Sequence, residues 1–162
     1  MVKRLILFRH AKSDWGAAYE KDCDRPLAKR GIETARTMGR LLSNASPQLV
    51  ITSSAVRAKQ TVDLALRAGK WGCPVQVTNK LYEASAAQVL AVVHQVSNNV
   101  ETLLLVGHEP TWSVLASQLI GGGHIRFPTG AMARIDFDIE IWHHVGNAQG
   151  SLRWLLQPKL FM

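Results

Sequence analysis

Three apolar runs of the chain end in cationic or imidazole side chains. The run LILF (5–8) has the composition of a buried strand and is followed directly by Arg9 and His10. A second run leads through SSAV to Arg57, and the run LLLVG ends at His108. A guanidinium group binds phosphate oxygens through paired hydrogen bonds, and a neutral imidazole can attack phosphorus. Residues of these types therefore suit phosphoryl transfer, in which catalysis is mostly positioning and charge neutralisation.

The elements that must position these residues alternate along the chain. The predicted strands cover 5–8, 47–54 and 102–107, and 73–82 is predicted to be extended. The predicted helices cover 31–44, 55–69, 85–99 and 109–123, with Ser85 as the N-cap of the third. Such alternation indicates a mainly parallel sheet with helices on both faces. Ligands of such sheets bind beyond the carboxyl ends of the strands, so we expect the cationic groups to meet there.

The C-terminal part of the chain has a different pattern. Segments 131–142 and 151–158 alternate between apolar and polar residues, which predicts an antiparallel strand pair around the turn GNAQG (146–150). We find no linker, internal repeat or low-complexity stretch. The sequence therefore predicts one α/β domain over 1–162, a three-layer sandwich with this strand pair near its C-terminus.

Composition restricts the class of protein and of ligand. The chain has 162 residues, is 47% hydrophobic and carries a formal net charge of +7. Residues 1–70 contain 14 Lys or Arg and six Asp or Glu, so this half attracts anions. No apolar stretch approaches the ~20 residues of a membrane span, and the N-terminus lacks a signal-peptide pattern. Two cysteines without a CxxC motif are expected to be reduced thiols, so we expect a cytoplasmic location without membrane attachment.

Several motifs of the chain are similar to those of a known family. LFRHAKSDW resembles the Arg-His signature of the histidine phosphatase superfamily. DRPLAKRG, ITSSAVRAKQT, LYEAS and LLLVGHEP resemble, in that order, the motifs of its small SixA-type phosphohistidine phosphatase branch. The similarity continues through PTGAMARIDFD and LLQPK, and so runs from residue 4 to about residue 160. It implies a phosphoglycerate mutase-like fold.

The resemblance also implies roles for individual residues. His10 corresponds to the nucleophile that becomes phosphorylated, and Arg9 to the phosphate clamp beside it. Arg57 corresponds to the second arginine of the pocket. His108 corresponds to the second histidine, which donates a hydrogen bond to the phosphoryl oxygens in the transition state. We take these four residues as the predicted centre of the site.

Three further residues are weaker candidates. Glu83 falls where the mutases and acid phosphatases of the family place a proton donor, but the SixA-type branch often lacks a carboxylate there. A solvated or helix-capping role for Glu83 therefore remains open. Lys12 and Ser13 lie close to His10 in sequence and are expected phosphate contacts.

Other features of the motifs predict a structural role only. Ala28 stands where the family often has a threonine, serine or asparagine that caps the following helix. One set of cations is predicted to form the solvated face of the first helix: Arg25, Lys29, Arg30, Arg36 and Arg40.

The leading hypothesis is a phosphatase that needs no metal or other cofactor and works through a phosphohistidine on His10. The remaining histidines lack the spacing of a metal site. A phosphorylated protein is the expected substrate, for instance phosphohistidine on a histidine phosphotransfer domain, and the chain is expected to be a monomer. A general phosphatase of small phosphomonoesters is the main alternative. A mutase is disfavoured because no lid-sized insertion is evident.

A binding module without turnover is the alternative from another class. It would bind a phosphoprotein, or nucleic acid through its basic half. We expect no nucleic-acid partner, because the chain has no helix-turn-helix, no RNP-like motif and no basic strand interleaved with aromatic residues.

Overall fold

Six strands form one mixed sheet in the computed structural model, which describes residues 2–162. The strands are β1 (Lys3–Arg9), β2 (Leu49–Ser53), β3 (Val75–Thr78), β4 (Thr102–Gly107), β5 (Met132–Phe137) and β6 (Ser151–Leu156). Their order across the sheet is β3-β2-β4-β1-β5-β6. The first four strands pair in parallel, whereas β5 is antiparallel to both β1 and β6. The predicted α/β fold with a mainly parallel sheet is confirmed.

Helices cover both faces of this sheet. They are α1 (Lys29–Leu41), α2 (Val56–Gly69), α3 (Ala86–His94) and α4 (Thr111–Ile120). Side chains alternate between the faces along β1, as the two-residue period of a strand requires. Leu5 and Leu7 belong to the core cluster under α3 and α4, whereas Ile6 and Phe8 belong to the cluster under α1 and α2. The predicted three-layer arrangement is therefore confirmed.

The N-cap residues of two helices match the sequence. Ser85 caps α3, and its hydroxyl accepts the backbone N–H of Gln88 while the Gln88 side chain accepts the backbone N–H of Ser85. Helix α1 begins after Ala28, which has no side chain able to cap it. Both features agree with the sequence predictions. Within residues 2–162, no helix is both long enough and apolar enough to cross a bilayer.

The prediction for the C-terminal part is wrong in one respect. Strands β5 and β6 do pair antiparallel, but β5 ends at Phe137 rather than at Trp142. Trp142 is fully buried, and its indole Nε1 donates to the carbonyl of Val100 at 2.7 Å. This anchor draws the chain away from the sheet into a 3-10 turn, Trp142–His144. The connection therefore runs from residue 138 to 150, and GNAQG is only its last part.

Candidate active site

One cavity at the carboxyl edge of the sheet collects most of the predicted site residues. Arg9 is the last residue of β1, His108 directly follows β4, and Arg57 is the second residue of α2 beyond β2. The cavity measures about 370 Å³ and is called the His10 cavity below. Six of the seven predicted residues line it: Arg9, His10, Lys12, Ser13, Arg57 and His108.

His10 is held in a single tautomer. Its backbone N–H donates to the Gly107 carbonyl at 3.0 Å, and its ring Nδ1 lies 2.7 Å from the Ala11 carbonyl oxygen. A carbonyl oxygen only accepts hydrogen bonds, so Nδ1 carries the proton. Burial, together with the positive charges of Arg57 and Arg9, lowers the pKa of His10 to about 3 despite the Ala11 hydrogen bond. The ring is therefore neutral near pH 7, and its Nε2 has a free lone pair.

His108 faces His10 across the cavity, with ring centroids 5.2 Å apart. Its Nε2 lies 2.8 Å from the hydroxyl of Ser53, which also accepts the backbone N–H of Ala55. Burial and the charge of Arg57 lower the pKa of His108 to about 4, so this imidazole is neutral as well. If the Ser53 hydroxyl donates to Nε2, the proton of the neutral ring is on Nδ1. Sequence reasoning did not single out Ser53.

Three residues that line the cavity each have a buried nitrogen without a protein partner. Arg9 donates through Nη1 to the Phe127 carbonyl at 2.9 Å, and burial lowers the pKa of its guanidinium. Among residues 2–162, the buried donor atoms without a hydrogen-bond partner include Arg9 Nε, Arg57 Nε and His108 Nδ1. Burying a donor unpaired is unfavourable, so a cluster of them at one cavity indicates a ligand rich in acceptor oxygens. A phosphoryl group is such a ligand.

Arg25 also lines the His10 cavity, contrary to its prediction as a solvated helix residue. It precedes α1, is only 4% exposed, and donates from Nε to the hydroxyl of Ser13 at 2.9 Å. Its guanidinium carbon lies 3.6 Å from the centre of the Trp15 ring. The prediction failed because Arg25 lies in the loop before α1, where contacts with Ser13, Asp22 and Trp15 bury it. The other four cations of that predicted set are exposed: Lys29, Arg30, Arg36 and Arg40.

Asp22 holds two of the arginines in place. Its carboxylate pairs with Arg25 and Arg57, and it accepts the hydroxyl of Tyr82 at 2.7 Å. Burial by itself would raise the pKa of Asp22, but these three donors outweigh it and hold the pKa well below its usual range. Burial and the Asp22 charge in turn raise the pKa of Tyr82 to about 12. The sequence contains no signal for the contacts of Asp22 with Arg57 and Tyr82, because these two partners are 35 and 60 residues away along the chain.

Glu83 is the predicted residue that does not line the His10 cavity. It lines an adjoining cavity of about 360 Å³, called the Glu83 cavity below. The two cavities share Arg57, His108 and Glu109 in their walls. Glu83 has a φ of +52°, in the left-handed region that is uncommon for residues other than glycine. Glu83 and His10 therefore line different cavities, with Arg57 and His108 in the walls of both.

Lys12 and Ser13 occupy different positions at the edge of the His10 cavity. Lys12 is exposed, whereas Ser13 is buried and its hydroxyl accepts from Arg25. Contact of either with phosphate remains a prediction. Over the described part of the chain, no three His, Cys, Asp or Glu side chains are grouped so that they could share a metal ion.

Comparison with known sequences places this geometry in a family. A profile of the histidine phosphatase superfamily (branch 1) matches residues 5–89 of the chain. An uncharacterized protein of Mycobacterium tuberculosis is 42% identical over 110 residues. These residues are 67% of this chain and 66% of that protein, so about a third of the relative lies outside the match.

Solved structures give the same result for the fold. A candidate phosphohistidine phosphatase SixA from Nakamurella multipartitia superimposes with a TM-score of 0.85 at 25% identity, covering 98% of this chain and 97% of that one. The protein histidine phosphatase SixA complexed with tungstate gives a TM-score of 0.83 at 23% identity, covering 98% and 99%. At that identity the second similarity concerns the fold alone.

Proposed function

The chain belongs to the histidine phosphatase superfamily, the class of phosphatases with a histidine nucleophile, and from that premise we propose that His10 is its nucleophile and protein phosphohistidine its substrate. The hydrogen bond between His10 Nδ1 and the Ala11 carbonyl carries the proposal. It leaves Nε2 as an unprotonated nitrogen on a residue lining a cavity of cationic groups. A nucleophile needs that lone pair, and burial keeps it free of a proton near pH 7.

The first chemical step transfers the phosphoryl group to the enzyme. His10 Nε2 attacks phosphorus, and the bond between phosphorus and the substrate nitrogen breaks as the new N–P bond forms. Arg9, Arg57 and Arg25 neutralise the phosphoryl oxygens, and His108 donates to one of them from Nδ1. These fixed donors are most valuable in the transition state, where charge is spread over those oxygens.

The second step releases the phosphoryl group. Water attacks phosphorus of the phosphohistidine, the bond to His10 Nε2 breaks, and inorganic phosphate leaves. The same donors serve both steps because the same oxygens are held throughout. In this scheme the arginines supply the charge neutralisation for which other phosphatases use a metal ion.

Phosphohistidine suits this cavity better than a phosphoester does. Among the described residues that line the His10 cavity, Glu109 is the one with a carboxylate. That carboxylate is already engaged, because its Oε1 accepts the backbone N–H of Ser113 at 2.6 Å. A phosphoramidate nitrogen can carry its own proton and leave as neutral imidazole, so it depends little on an acid group of the enzyme. An alkoxide leaving group needs such an acid. A histidine phosphotransfer domain is one class of protein that presents phosphohistidine.

Phosphomonoesters of small molecules are the second candidate substrates, favoured by the position of Glu83. The Glu83 cavity shares Arg57 and His108 with the His10 cavity, and we take Glu83 as the carboxyl group that would protonate an ester oxygen. We expect Glu83→Gln to lower the cleavage of a phosphoester about tenfold or more and to change phosphohistidine cleavage little. The rates of wild type and Glu83→Gln on both substrates, measured side by side, test this expectation. Equal loss on the two would contradict the assignment of phosphohistidine as the preferred substrate.

The function itself is tested with a histidine-phosphorylated protein and an aryl phosphate, both in the presence of a chelator. We expect the wild type to release phosphate and His10→Ala to be slower by a factor of about 10³ or more. His144→Ala is the matched control, because that imidazole is exposed and lies outside both cavities. Activity on the aryl ester alone would favour small substrates. Absence of turnover on both would favour a binding module.

A further inference from the structure

A tryptophan stands exposed at the His10 cavity. Trp15 lines the cavity together with Arg9, His10 and Arg25, yet 72% of its surface is exposed. By contrast, Trp112 is fully buried in the core. An indole ring left in water forgoes the free energy that burial of its apolar surface would give. A large aromatic ring kept exposed beside a phosphate site is therefore a candidate contact for the rest of the substrate.

The loop that carries this tryptophan is closed by backbone hydrogen bonds. Ser13 and Leu27 form an isolated antiparallel bridge at its neck, and the Asp14 N–H donates to the Pro26 carbonyl at 2.8 Å. The Asp14 side chain also accepts the backbone N–H of Gly16 at 2.9 Å, which forms a local turn around Trp15. These bonds set the position of the indole before any substrate arrives.

One face of the indole is covered by a buried cation. The guanidinium of Arg25 lies 3.6 Å from the ring centre and is itself held by Ser13 and Asp22. Such a cation–π contact orients the ring and lowers the freedom that substrate binding would have to remove. Because the ring is 72% exposed, its other face is open to solvent. Trp15 itself lines the cavity in which the phosphoryl group is proposed to bind.

We propose that this open face of Trp15 is the subsite for the leaving group and selects substrates whose phosphoryl group is carried on a planar ring. The inference rests on the proposed function and extends it from the phosphoryl group to the atoms beyond it. A planar ring stacks on indole in an offset or edge-on manner, and imidazole of phosphohistidine and an aryl ring both qualify.

Non-hydrolysable phosphonates separate this subsite from catalysis. Phenylphosphonate and propylphosphonate carry the same charged group, and only the first has a ring. Binding of both, and of tungstate as an anion without a leaving group, is measured by calorimetry for wild type, Trp15→Ala and Trp15→Phe. Leu152→Ala is the control, because that exposed apolar side chain lies on β6, at the far edge of the sheet.

We expect Trp15→Ala to weaken phenylphosphonate about tenfold and to change propylphosphonate and tungstate less than about twofold. Trp15→Phe is expected to retain most of the wild-type affinity for phenylphosphonate. Leu152→Ala is expected to leave the affinity for all three ligands unchanged. Equal weakening of all three ligands would overturn the proposal, because Trp15 would then act only by holding Arg25. Unchanged phenylphosphonate binding would overturn it as well.

The outcome is independent of the test of the proposed function. Turnover of a phosphohistidine protein depends on His10, whereas phosphonate binding requires no reaction. A wild type without turnover would contradict the function and leave the binding comparison to decide the role of Trp15.

Discussion

At the scale of single residues, burial decides which protonation state the two histidines adopt. His10 and His108 would each be about half protonated near pH 6.5 in water, but the fold lowers their pKa values to about 3 and about 4. The cationic neighbours that would bind phosphate act in the same direction. Both imidazoles are therefore neutral near pH 7, and a neutral imidazole is what the proposed attack of His10 on phosphorus requires.

The lowered pKa values predict that stability depends on pH. Below about pH 6.5, His10 and His108 bind protons in the unfolded chain, whereas in the folded chain they do not until about pH 3 and about pH 4 respectively. The unfolded state thus binds more protons, so the free energy of unfolding falls as the pH is lowered through this window. We expect a loss of about 1.4 kcal/mol per pH unit for each histidine between about pH 6 and about pH 4.5.

Urea unfolding across that range measures the slope. His10→Ala removes one of the two groups, so its slope is expected to be shallower than that of the wild type. Parallel curves for the two proteins would contradict the assignment to His10.

Ser53 is predicted to position His108. Its hydroxyl, which is buried, is 2.8 Å from His108 Nε2 and leaves Nδ1 as the donor toward the site. We expect Ser53→Ala to lower kcat about tenfold with little change in KM, because the donor acts mainly on the transition state. Steady-state kinetics test this, with Ser54→Ala as a control of the same size. An unchanged kcat for Ser53→Ala would exclude the positioning role.

At the scale of elements, α1 and α2 pack closely against each other at Gly39. A Cβ atom at Gly39 would overlap the backbone of Ala65, and backbone atoms cannot move aside as a flexible side chain can. Although alanine is a better helix former than glycine by about 1 kcal/mol, the overlap outweighs that gain. Helix α2 carries Arg57, so its packing against α1 bears on the position of that residue.

We therefore expect Gly39→Ala to lower the free energy of unfolding by about 1–3 kcal/mol. Thermal or chemical unfolding measures the change. Gly72→Ala is the matched control, because nothing lies within 4 Å of a Cβ placed there. A Gly39→Ala protein more stable than the wild type would contradict this, because α1 and α2 could then move apart without loss of stability.

At the scale of the whole molecule, positive charge is distributed unevenly along the chain. The excess of basic residues lies in residues 1–70, which include every cation that lines the His10 cavity. Those residues form β1, the loop that carries Trp15, α1, β2 and α2. The fold thus concentrates positive charge where a phosphorylated protein would approach, which raises the rate of encounter with an acidic partner.

This concentration predicts a salt-dependent KM. Between about 0.05 and 0.2 M salt we expect KM for a phosphoprotein to rise about threefold or more, since exposed charges are screened over this range. The value of kcat is expected to change little, because the buried donors around phosphorus are screened much less. Kinetics at a series of salt concentrations measure both. A KM independent of salt would argue against electrostatic attraction of the substrate.

The sequence by itself determined the fold class and the centre of the site. Apolar runs and helical periods are local features, and they located the strands and helices, the N-cap at Ser85, and the edge where Arg9, His10, Arg57 and His108 meet. Strand β5 was predicted too long, because the indole of Trp142 is anchored at Val100, far along the chain.

Only the tertiary structure decided which groups support that centre. The contacts of Asp22 with Arg57, Ser53 with His108 and Asp22 with Tyr82 span 35, 55 and 60 residues. A lone aspartate or serine has no local pattern that reports such a partner. The Ala11 carbonyl that orients His10 is adjacent in sequence, yet its direction depends on the path of the backbone after β1. Tautomer, burial and the support of Trp15 by Arg25 are therefore properties of packing, which periodicity along a chain does not encode.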